Sequence, residues 1–211
     1  MRDDSNVPTP DDLRHAREAY VREEPRDLFY RISRDLVEAV FAGTGTYSLA
    51  EAVNVLLFTW NRRYYNRHHP ADRDYWTALE NVLLVHRTEV EACRSRSIDS
   101  FSRTTDASLM STFRDFAAVL GAVGVAKALH VLAPTFFPPW DNKIANEYGI
   151  RLEYVGKVEK GFWWDRYMRF MEIRRGQVVS LGPTISSPLK ALDEWDYMRI
   201  TRGHAGLQFL D

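Results

Sequence analysis

Apolar residues recur along this chain three and four positions apart, and prolines, glycines and small polar residues cut the pattern into segments of helical length. Thr9-Pro10 marks the first helix start, with proline in the first turn and Asp11 and Asp12 behind it, and predicts a helix to about Glu24. Residues 1–8 ahead of it read as a flexible tail. Pro25 restarts the chain, and Leu28, Ile32, Leu36, Val37 and Val40 form a stripe that ends at Gly43-Thr44-Gly45. Ser48 and Glu51 have capping-box spacing and precede the strongly apolar Val53, Val55, Leu56, Leu57 and Phe58. A further helix after Pro70 carries Trp76, Leu79, Val82, Leu83 and Val90, and residues 94–107 read as a polar, turn-rich loop.

The densest information lies in Leu120–Asn146. Leu109, Phe113, Phe116, Ala117 and Leu120 share one helix face, and Val125, Leu129 and Leu132 repeat that spacing until Pro134 ends the run. Between them Gly121 and Gly124 bracket Ala122-Val123, which predicts a tight connection, because glycine reaches positive φ without steric cost. The local reading is helix, hairpin, helix over about 108–133, followed by an aspartate loop over 134–146. Helical spacing resumes over Phe162–Arg174, with Phe162, Tyr167, Phe170 and Met171 as core contacts. Ser187-Pro188 opens a last helix through Leu192, Trp195 and Ile200 that Gly203 stops. No strand pair stands out, and 149–158 is the only stretch suited to extended backbone. The expected class is all-α, with residues 9–211 forming one helical domain, compact or bilobal.

Composition narrows the field modestly. At 45% hydrophobic and 27% charged residues the chain has the balance of a globular protein. The net charge of −1 removes any whole-protein basic field, so nucleic-acid binding would depend on local patches. Arg62, Arg63 and Arg67 interleave with aromatics in WNRRYYNRHH, a mixture suited to phosphate contact and base stacking. Arg94, Arg96 and Arg103, and Lys157 with Lys160, are lesser clusters. The wet end of an amphipathic helix is the favoured explanation of the first cluster, ahead of nucleic-acid contact. Cys93 is the single cysteine, which excludes an intrachain disulfide and any four-cysteine metal site and fits a reducing compartment. His68, His69 and Asp72 do not make a metal site, since adjacent histidines diverge on a helix. With no secretory apolar core at the N-terminus and no long apolar run, the expectation is a cytoplasmic, non-membrane protein.

Gly121-Ala-Val-Gly124, the helix containing Lys127, and Phe137-Pro-Pro-Trp-Asp141-Asn-Lys-Ile-Ala145 resemble the hairpin motif and trailing aspartate loop of the helix-hairpin-helix DNA glycosylase superfamily. The resemblance covers Ser108–Tyr148, about a fifth of the chain. It implies that backbone amides at Gly121, Val123 and Gly124 hold a DNA phosphate, with Lys127 beside them, and that Asp141 serves base excision. Its partner would be double-stranded DNA with a flipped base, bound by a monomer acting at the nucleoid without a cofactor. Two departures matter. Family members that also cleave the strand carry a lysine two residues after the last glycine, where this chain has Ala126, and Lys127 is turned about 100° from that place. The lysine-to-aspartate interval is also short. The resemblance therefore implies a monofunctional hydrolase, outside the iron–sulfur branch.

Breaking an N-glycosidic bond develops positive charge on the sugar, which a carboxylate beside it stabilises while orienting or deprotonating water. Asp141 is the candidate, and its position before Asn-Lys-Ile-Ala is equally that of a helix N-cap. Lys127 and His130 share a face, read as solvated, with Lys127 in a minor catalytic or phosphate-contacting role. Trp140, Trp163 and Trp164 are candidate walls for a flipped base, and Asp165 is a candidate second carboxylate. The alternative is a helical nucleic-acid-binding or interaction protein that keeps the hairpin without the chemistry.

Overall fold

Two of the helix starts marked in the sequence carry full capping boxes. In the computed structural model, which describes residues 7–60, 73–152 and 162–203, the Thr9 hydroxyl accepts from the Asp12 amide at 3.1 Å and the Asp12 carboxylate accepts from the Thr9 amide at 2.8 Å. That capping box starts α1 (Pro10–Glu23). Ser48 and Glu51 repeat the arrangement ahead of α3 (Leu49–Trp60), with bonds of 3.1 and 2.7 Å. Between them lies α2 (Asp27–Phe41), and after them come α4 (Arg73–Val85), α5 (Arg87–Arg94) and a short 3-10 turn at Ile98–Ser100. The central helix α6 spans Leu109–Leu132, followed by the short α7 (Asn142–Glu147), the long α8 (Phe162–Leu181), α9 (Pro188–Asp196) and a π turn at Tyr197–Thr201. The protein is all-α, with nine α-helices and no strand among the described residues.

Several boundaries differ from those expected. The apolar stripe of α2 is rotated: Leu28 and Ile32 are exposed, while Tyr30, Ser33 and Val37 face inward, because α2 lies along α3 and the Ser33 hydroxyl bonds the Ala52 carbonyl at 2.6 Å. The segment expected to be one helix through Val90 breaks at His86, which starts α5. At the other end α8 runs seven residues past Arg174. Where a tight connection was expected across Gly121 to Gly124, the non-helical backbone within α6 is confined to Gly121, whose φ of 68° and ψ of 174° separate two helical arms, with Gly124 buried in the second arm. Although α6 has the length and apolarity of a membrane span, most of it lies inside the protein.

The second arm of α6 sits in one large core containing Leu56, Phe116, Leu129, Trp140, Tyr167 and Leu192. A small satellite of Ala19, Tyr20 and Met198 joins α1 to the π turn. Contacts with α2, α3, α4, α5 and α8 make α6 the axis around which the others are arranged.

Three hydrogen bonds hold the segment after α6, two to this axis and one to α8. The Trp140 indole N–H donates to the Ala122 carbonyl at 2.8 Å, just past the Gly121 break. Tyr167 of α8 donates its hydroxyl to the Pro138 carbonyl at 2.8 Å. The His130 Nδ1 lies 2.8 Å from the Phe137 carbonyl, which can only accept, so the proton is on Nδ1 and Nε2 accepts from the Tyr30 hydroxyl at 3.1 Å. His130 is thus a buried, neutral ring stacked on Tyr30, its pKa pushed down to about 3 by burial, and not part of a solvated face. These anchors fix where the next residue, Asp141, emerges.

Candidate functional site

Asp141 caps α7: its Oδ1 accepts from the Ile144 amide at 2.9 Å and its backbone is extended. One oxygen is thereby held, and the half-buried carboxylate faces a cleft of about 230 Å³. Smaller than the roughly 300–1,000 Å³ of pockets for drug-sized ligands, this space suits a single ring system. Larger hollows of about 540 and 330 Å³ open elsewhere. The first is a shallow surface around Ser48 and Glu51, whose side chains are already spent on the α3 cap, and the second is lined by ion-paired Arg17, Asp27, Lys190 and Glu194.

The cleft gathers chemistry from distant parts of the chain. Lys127, expected to turn away, lies in its wall on the second arm of α6. Its ammonium donates to the Trp60 carbonyl at 3.3 Å and lies 5.7 Å from the Trp60 ring centre. Burial lowers its pKa, and Asp141 and Asp193 oppose that shift. Asp193 enters from α9 and is 7% exposed. No hydrogen bond reaches its carboxyl among the described residues. Burial pushes its pKa up to about 7 against the pull of Lys190 and Arg174, and Asp141 adds to the rise.

Aromatic rings line the walls. Tyr20, Trp60, Trp140 and Tyr197 all border the space, and Trp60 stacks at 5.8 Å on Tyr30 behind it. Trp140 is a structural wall, 1% exposed and wedged edge-on against Tyr167 at 5.0 Å. At the mouth, Arg26 grips Glu24 through two bonds of 2.6 Å, and the Tyr197 hydroxyl donates to the same carboxylate at 2.6 Å. Burial alone would raise the Glu24 pKa, but these bonds hold it at about 2, so Glu24 is a fixed anion.

Other expected site residues lie apart from the cleft. Trp164 is buried in the core against Phe113, 5.6 Å between ring centres, and the half-buried Trp163 packs on the same core. Neither lines the space, and Trp164 packs on Phe113 of α6 instead. Asp165 is exposed on α8, and the carboxyl groups that share the cleft with Asp141 are Asp193 and, at the mouth, Glu24. Gly121 and Val123 are half-exposed, while Gly124 is buried against its neighbours, which leaves the Gly121 break as the accessible part of the connection. Arg62, Arg63 and Arg67 lie outside the described residues, as do His68, His69, Asp72, Lys157 and Lys160. No cluster of metal-ligating side chains occurs among the described residues.

Asp193 had no visible signal in the sequence. In PLKALDEWD the run Lys190, Asp193, Glu194 and Asp196 reads as the wet face of an amphipathic helix, yet all four are buried. Packing of α1 along α9 converts that face into an interior one, and nothing local announces it.

The site is therefore a small, aromatic-walled cleft in an all-α protein, holding the Lys127 amine, the unlike carboxyl groups of Asp141 and Asp193, and the Arg26-paired Glu24 at its mouth. No family model, no curated protein and no solved structure matches this chain.

Proposed function

We propose that this protein is a DNA glycosylase that accepts a base flipped out of duplex DNA and hydrolyses its N-glycosidic bond. The observation that carries this reading is the cleft itself: a capped, directed carboxylate at Asp141 stands beside aromatic walls in a space suited to one heterocycle. In this mechanism the base stacks between the rings while Asp141 lies beside the sugar. As the C1′–N bond breaks, the electron pair leaves with the base. The Asp141 carboxylate stabilises the developing sugar cation and takes a proton from the attacking water. The Gly121 break, with the half-exposed Val123 next to it, is the candidate contact for a phosphate.

The position of Lys127 favours a second version of the same reading. A primary amine with depressed basicity, in the same cleft as Asp141, is equipped to attack C1′ itself and to cleave the strand as a lyase.

The test is mass-spectrometric detection of bases released from a panel of damaged, mismatched and modified duplexes. The expected result is release of at least one base by the wild-type protein and none by Asp141→Asn, which preserves an N-cap side chain. Binding of duplexes without release of any base would overturn the proposal in favour of a non-catalytic binding module.

A further inference from the structure

Asp193 is the group in the cleft that the hydrolytic scheme leaves unused. Most buried polar groups are hydrogen-bonded, because leaving one unpaired costs free energy. Yet Asp193 is 7% exposed and holds no hydrogen bond among the described residues. It faces a cavity whose other polar groups are only partly occupied: Lys127 makes one bond, to the Trp60 carbonyl at 3.3 Å, and Asp141 uses Oδ1 on the α7 cap. Such a carboxyl is built to exchange a proton with something that enters the cleft or reacts there.

We propose that Asp193 is the proton-transfer group for Lys127 when its amine captures an aldehyde, the class of carbonyl presented by the opened sugar of an abasic site. The proposal rests on the glycosylase reading for its substrate. The amine lone pair of Lys127 forms an N–C bond to the aldehyde carbon. The C=O π pair moves to oxygen, which takes the proton of the Asp193 carboxyl. The resulting carboxylate then accepts the N–H proton of the adduct and returns it to the hydroxyl, which departs as water and leaves a protonated imine. Amine, aldehyde and acid thus yield the protonated imine, water and the Asp193 carboxylate, with no oxidant needed.

Several charged and titratable groups face Asp193. They are Lys190 on its own helix, Arg174 of α8, Asp141 before α7 and Lys127 of α6, with Tyr20 of α1 and Tyr30 of α2. Glu24, Arg26 and Tyr197 stand across the cleft. Of these, Glu24 and Arg26 neutralise each other through their paired bonds. Lys190 is tied to Asp27 at 3.3 Å and Glu194 at 3.0 Å. Burial leaves Asp193 titrating at about 7, where both its forms are populated at neutral pH and a proton can pass in either direction.

The experiment is cyanoborohydride trapping of the full chain on a duplex carrying one abasic site, followed from pH 5 to 9, with duplex affinity measured in parallel. Wild-type protein is expected to form a covalent adduct absent in Lys127→Gln, with a break in the rate profile near pH 7. In Asp193→Asn the rate at neutral pH should fall by tenfold or more and the break should vanish, at unchanged duplex affinity. Asp193→Glu, which restores a carboxyl, should recover the break and part of the rate, and it decides the matter if the asparagine variant fails to fold. An unaltered profile in Asp193→Asn, or no adduct with the wild-type protein, overturns the proposal. Base release assayed separately with Asp141→Asn tells that failure apart from failure of the glycosylase reading.

Discussion

Asp193 and Asp196 lie one helical turn apart on α9, both buried, and their surroundings are opposite. Asp196 is saturated: the Arg174 guanidinium pairs with it, the Tyr148 hydroxyl lies 3.1 Å from both its oxygens, and Arg199 reaches it at 3.2 Å. Arg174 in turn donates to Tyr148 at 3.2 Å and Gln177 at 2.9 Å, and lies against the rings of Tyr148 and Phe170. Asp193 meets only an open cleft and distant charges. A buried carboxylate whose lone pairs are all used welds α7, α8 and α9 together. One whose lone pairs are unused keeps its options for a reactant.

Variants at three aspartates test this contrast. The largest effect is expected at Asp196. Asp196→Asn strands the Arg174 charge in the core, and breaking such a pair costs about 3–5 kcal/mol. Denaturant unfolding should show the loss, and a loss below about 1 kcal/mol would mean that water already shares the cluster.

Asp193→Asn should act in the other direction, and with pH. Because the folded pKa of Asp193 is raised to about 7 from the ordinary 3.8, its contribution to stability is fully present below about pH 3.8 and is lost as pH rises toward 7. Relative to the asparagine variant, wild-type protein should therefore lose stability between pH 4 and 7, on the order of a few kcal/mol. Thermal melts of the two proteins over that range measure it. Parallel curves would show that Asp193 is solvated like a surface carboxylate and would erase the distinction from Asp196.

The smallest effect belongs to Asp141, whose two roles can be separated. Asp141→Ala should cost about 1 kcal/mol by removing the cap, while Asp141→Asn should cost only a few tenths. If both variants melt alike, the Ile144 bond does not hold the carboxylate in place.

Much of the scaffold was legible from local patterns. The capping boxes at Thr9 and Ser48, the glycine break after Leu120 and the cap at Asp141 all depend on residues within a few positions of one another. The rotation of α2 was not legible, since Leu28 and Ile32 have the right spacing but the neighbour that decides the inner face is α3, which follows in the chain. The same limit applied to the site. Asp141 is marked by its own neighbours, whereas Lys127 was expected on a solvated face and Trp163, Trp164 and Asp165 in or near the pocket. Each of those expectations concerned where a helix points, which its own sequence does not state.

The helical class, most helix starts and the capped aspartate follow from local chemistry along the chain, because backbone sterics, capping bonds and apolar periodicity act over one or two turns. That Lys127, Asp141 and Asp193 share one cleft, and that α9 is buried on its charged side, follows from how the helices pack. The reason is physical: burial and desolvation are set by what packs opposite a residue, and for Asp193 those neighbours come from α1, α6 and α8, far from it in the chain.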